Sequence, residues 1–201
     1  LISNITFSQD FEGIIEYENS YSKINEENPI NLKDLENFLG IKSTFITKEG
    51  FYKQISEGKY MSFQIYNPSE SRLYYKDLIE SDSLFIKDLT KFDNTEFEYE
   101  IKKNADTILN HICDKLIYKK QDQNIEEHYY FTTKYKQNPE YFKNFTFGNK
   151  NKLSELMKSV YLRYDVFFNG IIISSVATEI KEQKIEDKEF EIPKNSILKE
   201  K

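Results

Sequence analysis

The chain has 201 residues, a net charge of −6, a pI near 5.2, and a composition that is 38% hydrophobic and 15% aromatic, with 16 Phe, 15 Tyr and no Trp. That length suffices for one domain with its own core, while an acidic balance without any basic block lacks the electrostatic footprint of a nucleic-acid binder and disfavours anionic membrane surfaces. Cys113 is the single cysteine, which excludes an internal disulfide, and no apolar run approaches the ~18 residues of a membrane-crossing helix.

The first strand signal spans residues 11–21, where Phe11, Gly13, Ile15 and Tyr17 share one face and Glu12, Glu16 and Glu18 the other. A polar turn at 25–29 follows. Asn31 then reads as an N-cap, and Leu32, Leu35, Phe38 and Leu39 form a helical stripe that ends at Gly40. So short a helix predicts a lid packed on a sheet, because its few apolar turns cannot hold themselves in water.

Strand signals succeed one another at 43–48, 51–56, 59–66, 71–76, 83–88 and 96–101, separated by Glu49-Gly50, Glu57-Gly58 and Asn67-Pro68. Met61, Phe63 and Ile65 alternate with Ser62, Gln64 and Tyr66, the pattern of a half-buried strand. Further strands are predicted at 108–119 and 125–135, joined by a polar turn at 119–124. Asn138-Pro139 breaks the rhythm with a turn or short helix carrying Tyr141 and Phe142. Leu153, Leu156, Met157 and Val160 then predict a second short helix.

Strands resume at 161–168. Asn169-Gly170 between two β-branched and aromatic runs is a strong hairpin signal, because a type I′ turn needs positive φ at both central residues. A turn at Glu186-Asp187 and a closing strand to Pro193 follow, and the charged tail 194–201 is expected to fray. The fold class is therefore mainly β (α+β): one domain over 1–201 with an ordered core at about 7–193. In it about ten or eleven antiparallel strands form a long curled sheet or half-barrel with two short helices closing one side. Such a concave face suits an apolar ligand. Met61, Phe63, Ile65, Phe131, Phe168 and Ile172 are the candidate lining residues, and the same residues could simply fill the core.

No reaction is specified. His111, His128, Cys113 and Asp114 fall short of a tight four-ligand metal set, and the histidines read as solvent-facing strand residues. Carboxylate neighbours such as Asp10/Glu12, Glu126/Glu127 and Glu186/Asp187 read as solvated faces and turns, since a catalytic pair must face across a cleft. The chain has no nucleophile elbow and no phosphate-cradling glycine loop. The expectation is a protein that is not an enzyme, with no catalytic residue, no metal and no cofactor.

Short motifs carry a resemblance. They are the Phe11-Glu12-Gly13-Ile14-Ile15-Glu16-Tyr17 strand, the middle strand with Cys113, Tyr129-Tyr130-Phe131-Thr132, Asn138-Pro139-Glu140-Tyr141, and the Ala177-Thr178-Glu179-Ile180 to Phe190-Glu191-Ile192-Pro193 ending. Together the chain resembles Bacteroidetes envelope proteins of the LolA/LolB-like type, which include the GLPGLI and related families. The GLPGLI position here reads Phe168-Asn169-Gly170-Ile171-Ile172. The resemblance implies a LolA/LolB-like half-barrel in the periplasm or at the cell surface after removal of a signal peptide, with a lipid, acyl chain or lipoprotein as ligand. An envelope-protein partner, bound through a sheet edge or an aromatic patch, is the alternative.

Overall fold

The computed structural model describes residues 10–78, 83–92, 95–120 and 125–200. In chain order the elements are β1 (Gly13–Lys23), α1 (Leu32–Leu39), β2 (Lys42–Lys48), β3 (Phe51–Ser56), β4 (Phe63–Asn67), β5 (Arg72–Tyr75), β6 (Ser83–Asp88), β7 (Phe97–Ile108), β8 (His111–Lys120) and β9 (Ile125–Lys136). They continue with α2 (Lys150–Met157), β10 (Ser159–Phe168), β11 (Ile171–Glu182) and β12 (Ile197–Glu200). All twelve strands form one sheet in the order β12-β6-β5-β4-β3-β2-β1-β11-β10-β9-β8-β7. It is open, with β7 and β12 at its edges, and it curls as a sheet of that width must unless it splits. The β1–β11 pair joins two meanders, β1–β6 and β7–β11. The expected start of the core at residue 7 and the turn residues 121–124 lie outside the described residues.

Local chemistry sets the elements. Asn31 caps α1, its side chain accepting from Lys33 N–H at 3.0 Å, and Gly40 closes it at φ 86°. The Asn169-Gly170 turn has φ 48° and 74°, placing Phe168 opposite Ile171. The positive φ is what calls for glycine at 170; a Cβ there would also meet Asn28 Nδ2 at 2.6 Å, the end of a side chain that can swing aside.

Several expectations are corrected. The strand predicted at 108–119 begins only at His111, and the one predicted at 96–101 runs on to Ile108, because Leu109 and Asn110, at φ 48° and 62°, make a second tight hairpin that pairs Ile108 with His111. The closing strand to Pro193 is replaced by a 3₁₀ turn at Asp187–Phe190 that lies along β3, with Lys48 and Lys53 paired to Asp187 and Glu189 at 2.7 and 3.2 Å. The tail expected to fray instead forms β12, which pairs with β6 in parallel, so the sheet is not wholly antiparallel. The expected strand at 59–66 begins only at Phe63, since Met61 takes φ 46°. Helix α1 buries no residue and flanks the loops, with Phe38 stacked on Tyr60 at 5.1 Å, so it is not a lid on the sheet.

Residues 139–158 do cover the sheet. Phe142 and Phe145 pack on Tyr52, Tyr66, Leu73 and Tyr75 of the first meander. Leu153 and Met157 pack on Leu116, Tyr118, Tyr129 and Phe131 of the second. One segment thus bridges both meanders across the inner face. On the outer face Ile65, Tyr74 and Ile86 are covered in part by Ile192. Strand β4 is consequently covered on both faces: Tyr66 is 0% exposed and Ile65 1%. Each such burial contributes roughly 1.5–3 kcal/mol.

Candidate ligand pocket

Between the two packed clusters, beneath the bridging segment, lies a cavity of about 140 Å³. The sheet supplies Tyr17, Phe45, Tyr52 and Gln54 from β1–β3, and Val160 and Tyr161 from β10; Gln137, Phe142 and Lys150 close it. Strand register explains the first group. Ile15 stands opposite Phe45, Phe45 opposite Gln54, and Thr47 opposite Tyr52, so these side chains share the inner face. On the bridging segment, Lys150, Leu153 and Met157 fall on one helical stripe. The stripe that docks α2 on the sheet therefore also turns a lysine inward.

Tyrosine hydroxyls line the site as neutral groups. Tyr17 donates to the Tyr161 carbonyl at 2.7 Å; beside the site, Tyr66 donates to the Tyr141 carbonyl at 2.8 Å. Burial pushes the Tyr161 hydroxyl up to about 12, helped by the charge of Glu127. Burial likewise raises Tyr17, and also Tyr129 and Tyr164 deeper on the same face. Glu127 is buried but paired, accepting from Tyr129 at 2.6 Å and from Lys120 at 3.2 Å.

Lys150 differs. Its ammonium rests over the rings of Phe142 and Tyr161, 5.4 and 5.8 Å from their centres. Among the described residues it has no hydrogen bond and no ion pair. Burial drives its pKa from 10.5 down to about 8, with only the more distant charge of Glu127 opposing the fall.

The candidate lining residues are dispersed. Phe131 lies on the inner face but is sealed by α2. Met61 packs at the border of the β3–β5 cluster. Phe63 and Ile65 lie on the outer face near Ile192. Ile172 is half-buried opposite Phe167, and Phe168 is 39% exposed at the hairpin end. None of them lines the cavity. Sequence reasoning missed Lys150, Gln54 and Gln137 because polar residues read as solvated; the helical spacing of Lys150 from Leu153 and Met157 was the available signal.

Of the two histidines expected to face solvent, His128 does not, and His111 is half-buried. His128 is buried, bonded to Glu126 and in contact with Phe167, and burial lowers its pKa. His111 shares a 2.9 Å hydrogen bond with Tyr135. Among the described residues no three His, Cys, Asp or Glu side chains gather as a metal site, and no helix is long and apolar enough to cross a membrane.

No protein-family model matches the chain, and no curated protein matches its sequence. Among solved structures it is similar to a LolA superfamily protein from Nitrosomonas europaea, with 9% identity, a TM-score of 0.41, and coverage of 94% of this chain and 93% of that one. At that level of likeness the pocket's own residues have to carry any functional reading.

Proposed function

We propose that this protein is a noncatalytic binding protein that takes a small apolar group into the inner-face cavity beneath residues 139–158. The observation that carries the reading is the cavity itself: about 140 Å³, walled by Tyr17, Phe45, Tyr52, Phe142, Val160 and Tyr161. Apolar cavities of about 150 Å³ hold a benzene-sized guest. With the segment seated, the site accommodates a ring or the tip of a chain; a full acyl chain requires residues 139–158 to lift. The resemblance of the short motifs to LolA/LolB-like envelope proteins supports an envelope setting and a lipid or acyl ligand.

An interaction module working through a sheet edge is less favoured. The long edge strand β7 carries Glu98, Glu100, Lys102 and Lys103, charges of the kind that deter strand addition.

Calorimetry with the n-alkanols from butanol to decanol tests the proposal. Affinity should rise by about 0.8 kcal/mol per methylene until the cavity is full and then level off. Absence of saturable binding across the series would overturn it.

A further inference from the structure

We propose that the pocket selects ligands bearing a single carboxylate, which pairs with the Lys150 ammonium while the apolar remainder lies among Phe45, Tyr52, Val160 and Tyr161. The proposal rests on the cavity being a ligand site, and adds the chemistry of its polar end. Lys150 is half-buried, and an ammonium partly withdrawn from water gains from a paired, hydrogen-bonded anion. Lys150 has aromatic faces beside it but no counter-charge. Cation–π contacts contribute about 0.5–2 kcal/mol, which locates the cation without neutralising it.

The nearest candidate counter-ion is already engaged, since Glu127 is held by Lys120 at 3.2 Å and by Tyr129 at 2.6 Å. The remaining titratable groups on the cavity wall are Tyr17 of β1, Tyr52 of β3 and Tyr161 of β10, all raised by burial and therefore uncharged near neutrality. One cation facing otherwise neutral walls matches one negative charge. The side chains of Gln54 and Gln137 also line the cavity and bring amide donors suited to a carboxylate.

Lys150 also gives binding a pH signature. Its pKa in the free protein is about 8, and a bound carboxylate favours the protonated form and so raises it. Carboxylate affinity should therefore be flat between about pH 6 and 7, where the ligand is fully ionised, and fall about tenfold per pH unit above 8, until the raised pKa of the complex is reached.

The experiment compares hexanoate with 1-hexanol by calorimetry on the wild-type chain and on Lys150→Met. The wild type should bind hexanoate at least tenfold more tightly than hexanol at pH 7 and lose that preference by pH 10. Lys150→Met should bind hexanoate no more tightly than hexanol, whatever its own affinity for hexanol, and should show no change in that ratio with pH. Hexanol binding without a hexanoate preference in the wild type overturns the role of Lys150 and leaves the pocket standing, whereas failure of both probes overturns the pocket as well. A preference retained in Lys150→Met, or hexyl phosphate binding more tightly than hexanoate, also overturns the carboxylate assignment. The wild-type comparison and its pH profile need no variant, so a folding defect in Lys150→Met would not shield the proposal.

Discussion

Replacing Lys150 by Met should make the unliganded protein more stable at neutral pH. The folded pKa of about 8 lies below the ordinary 10.5. Between those values the unfolded chain binds more protons than the folded one, so this residue makes stability rise with pH across that window. Below about pH 7 both states are protonated and the whole penalty is present; above 10.5 both are neutral and it is gone. At about 1.4 kcal/mol per pKa unit the fall from 10.5 to about 8 corresponds to roughly 3 kcal/mol. Partial hydration of the amine in the cavity makes that an upper bound. Met keeps the unbranched stem and most of the packing, so Lys150→Met should gain about 1–3 kcal/mol at pH 7, and the gap should shrink to under about 1 kcal/mol at pH 10. The assay is urea unfolding followed by circular dichroism at pH 7, 8, 9 and 10 on both proteins. The buried tyrosines have raised folded pKa values; their stability is present below the ordinary 10 and is lost at higher pH, a trend common to both proteins that cancels in the difference. A variant less stable than wild type at pH 7, or a difference that does not shrink with pH, would refute the reasoning.

Two further outcomes follow from single side chains. Asn149 sits at φ 57°, donates through Nδ2 to Tyr118 Oη at 2.7 Å and the Thr95 carbonyl at 2.9 Å, and accepts from Thr95 N–H at 2.9 Å. Asn149→Ala should therefore lower stability by about 2–4 kcal/mol, and Asn149→Gly, which relieves only the backbone, by less, as read from thermal unfolding. Cys113 is 0% exposed in the core, and burial raises its thiol pKa. It should not react with a disulfide reagent in the native protein and should react fully in urea; rapid native labelling would contradict its placement.

Much of the sheet is legible in the sequence because turn chemistry is local. Asn169-Gly170 and the Asn31/Gly40 caps need only their neighbours to specify a conformation. The Leu109-Asn110 hairpin is not legible in the same way, since nothing in a leucine announces positive φ. The faces are harder still. In β4, alternation separates Phe63 and Ile65 from Tyr66, but not which set faces the cavity, because the strand is covered on one side by Phe142 and Phe145 and on the other by Ile192. Lining residues chosen by hydrophobicity therefore scatter over both faces. The pocket is defined by a segment distant in sequence that docks across β3 and β10, and its distinguishing residue is a lysine. The tail misleads for a related reason: Lys199 and Glu200 are exposed, yet the backbone of 197–200 pairs with β6.

The most direct test of the central claim is a titration of labelled protein with 1-hexanol, followed by two-dimensional NMR with assigned methyl and aromatic signals. Saturable shifts centred on Phe45, Tyr52, Val160 and Tyr161, attenuated when the ligand is withdrawn, are the predicted result. Shifts that never saturate, or that concentrate on the β7–β8 edge around Tyr99 and Ile117, would contradict it.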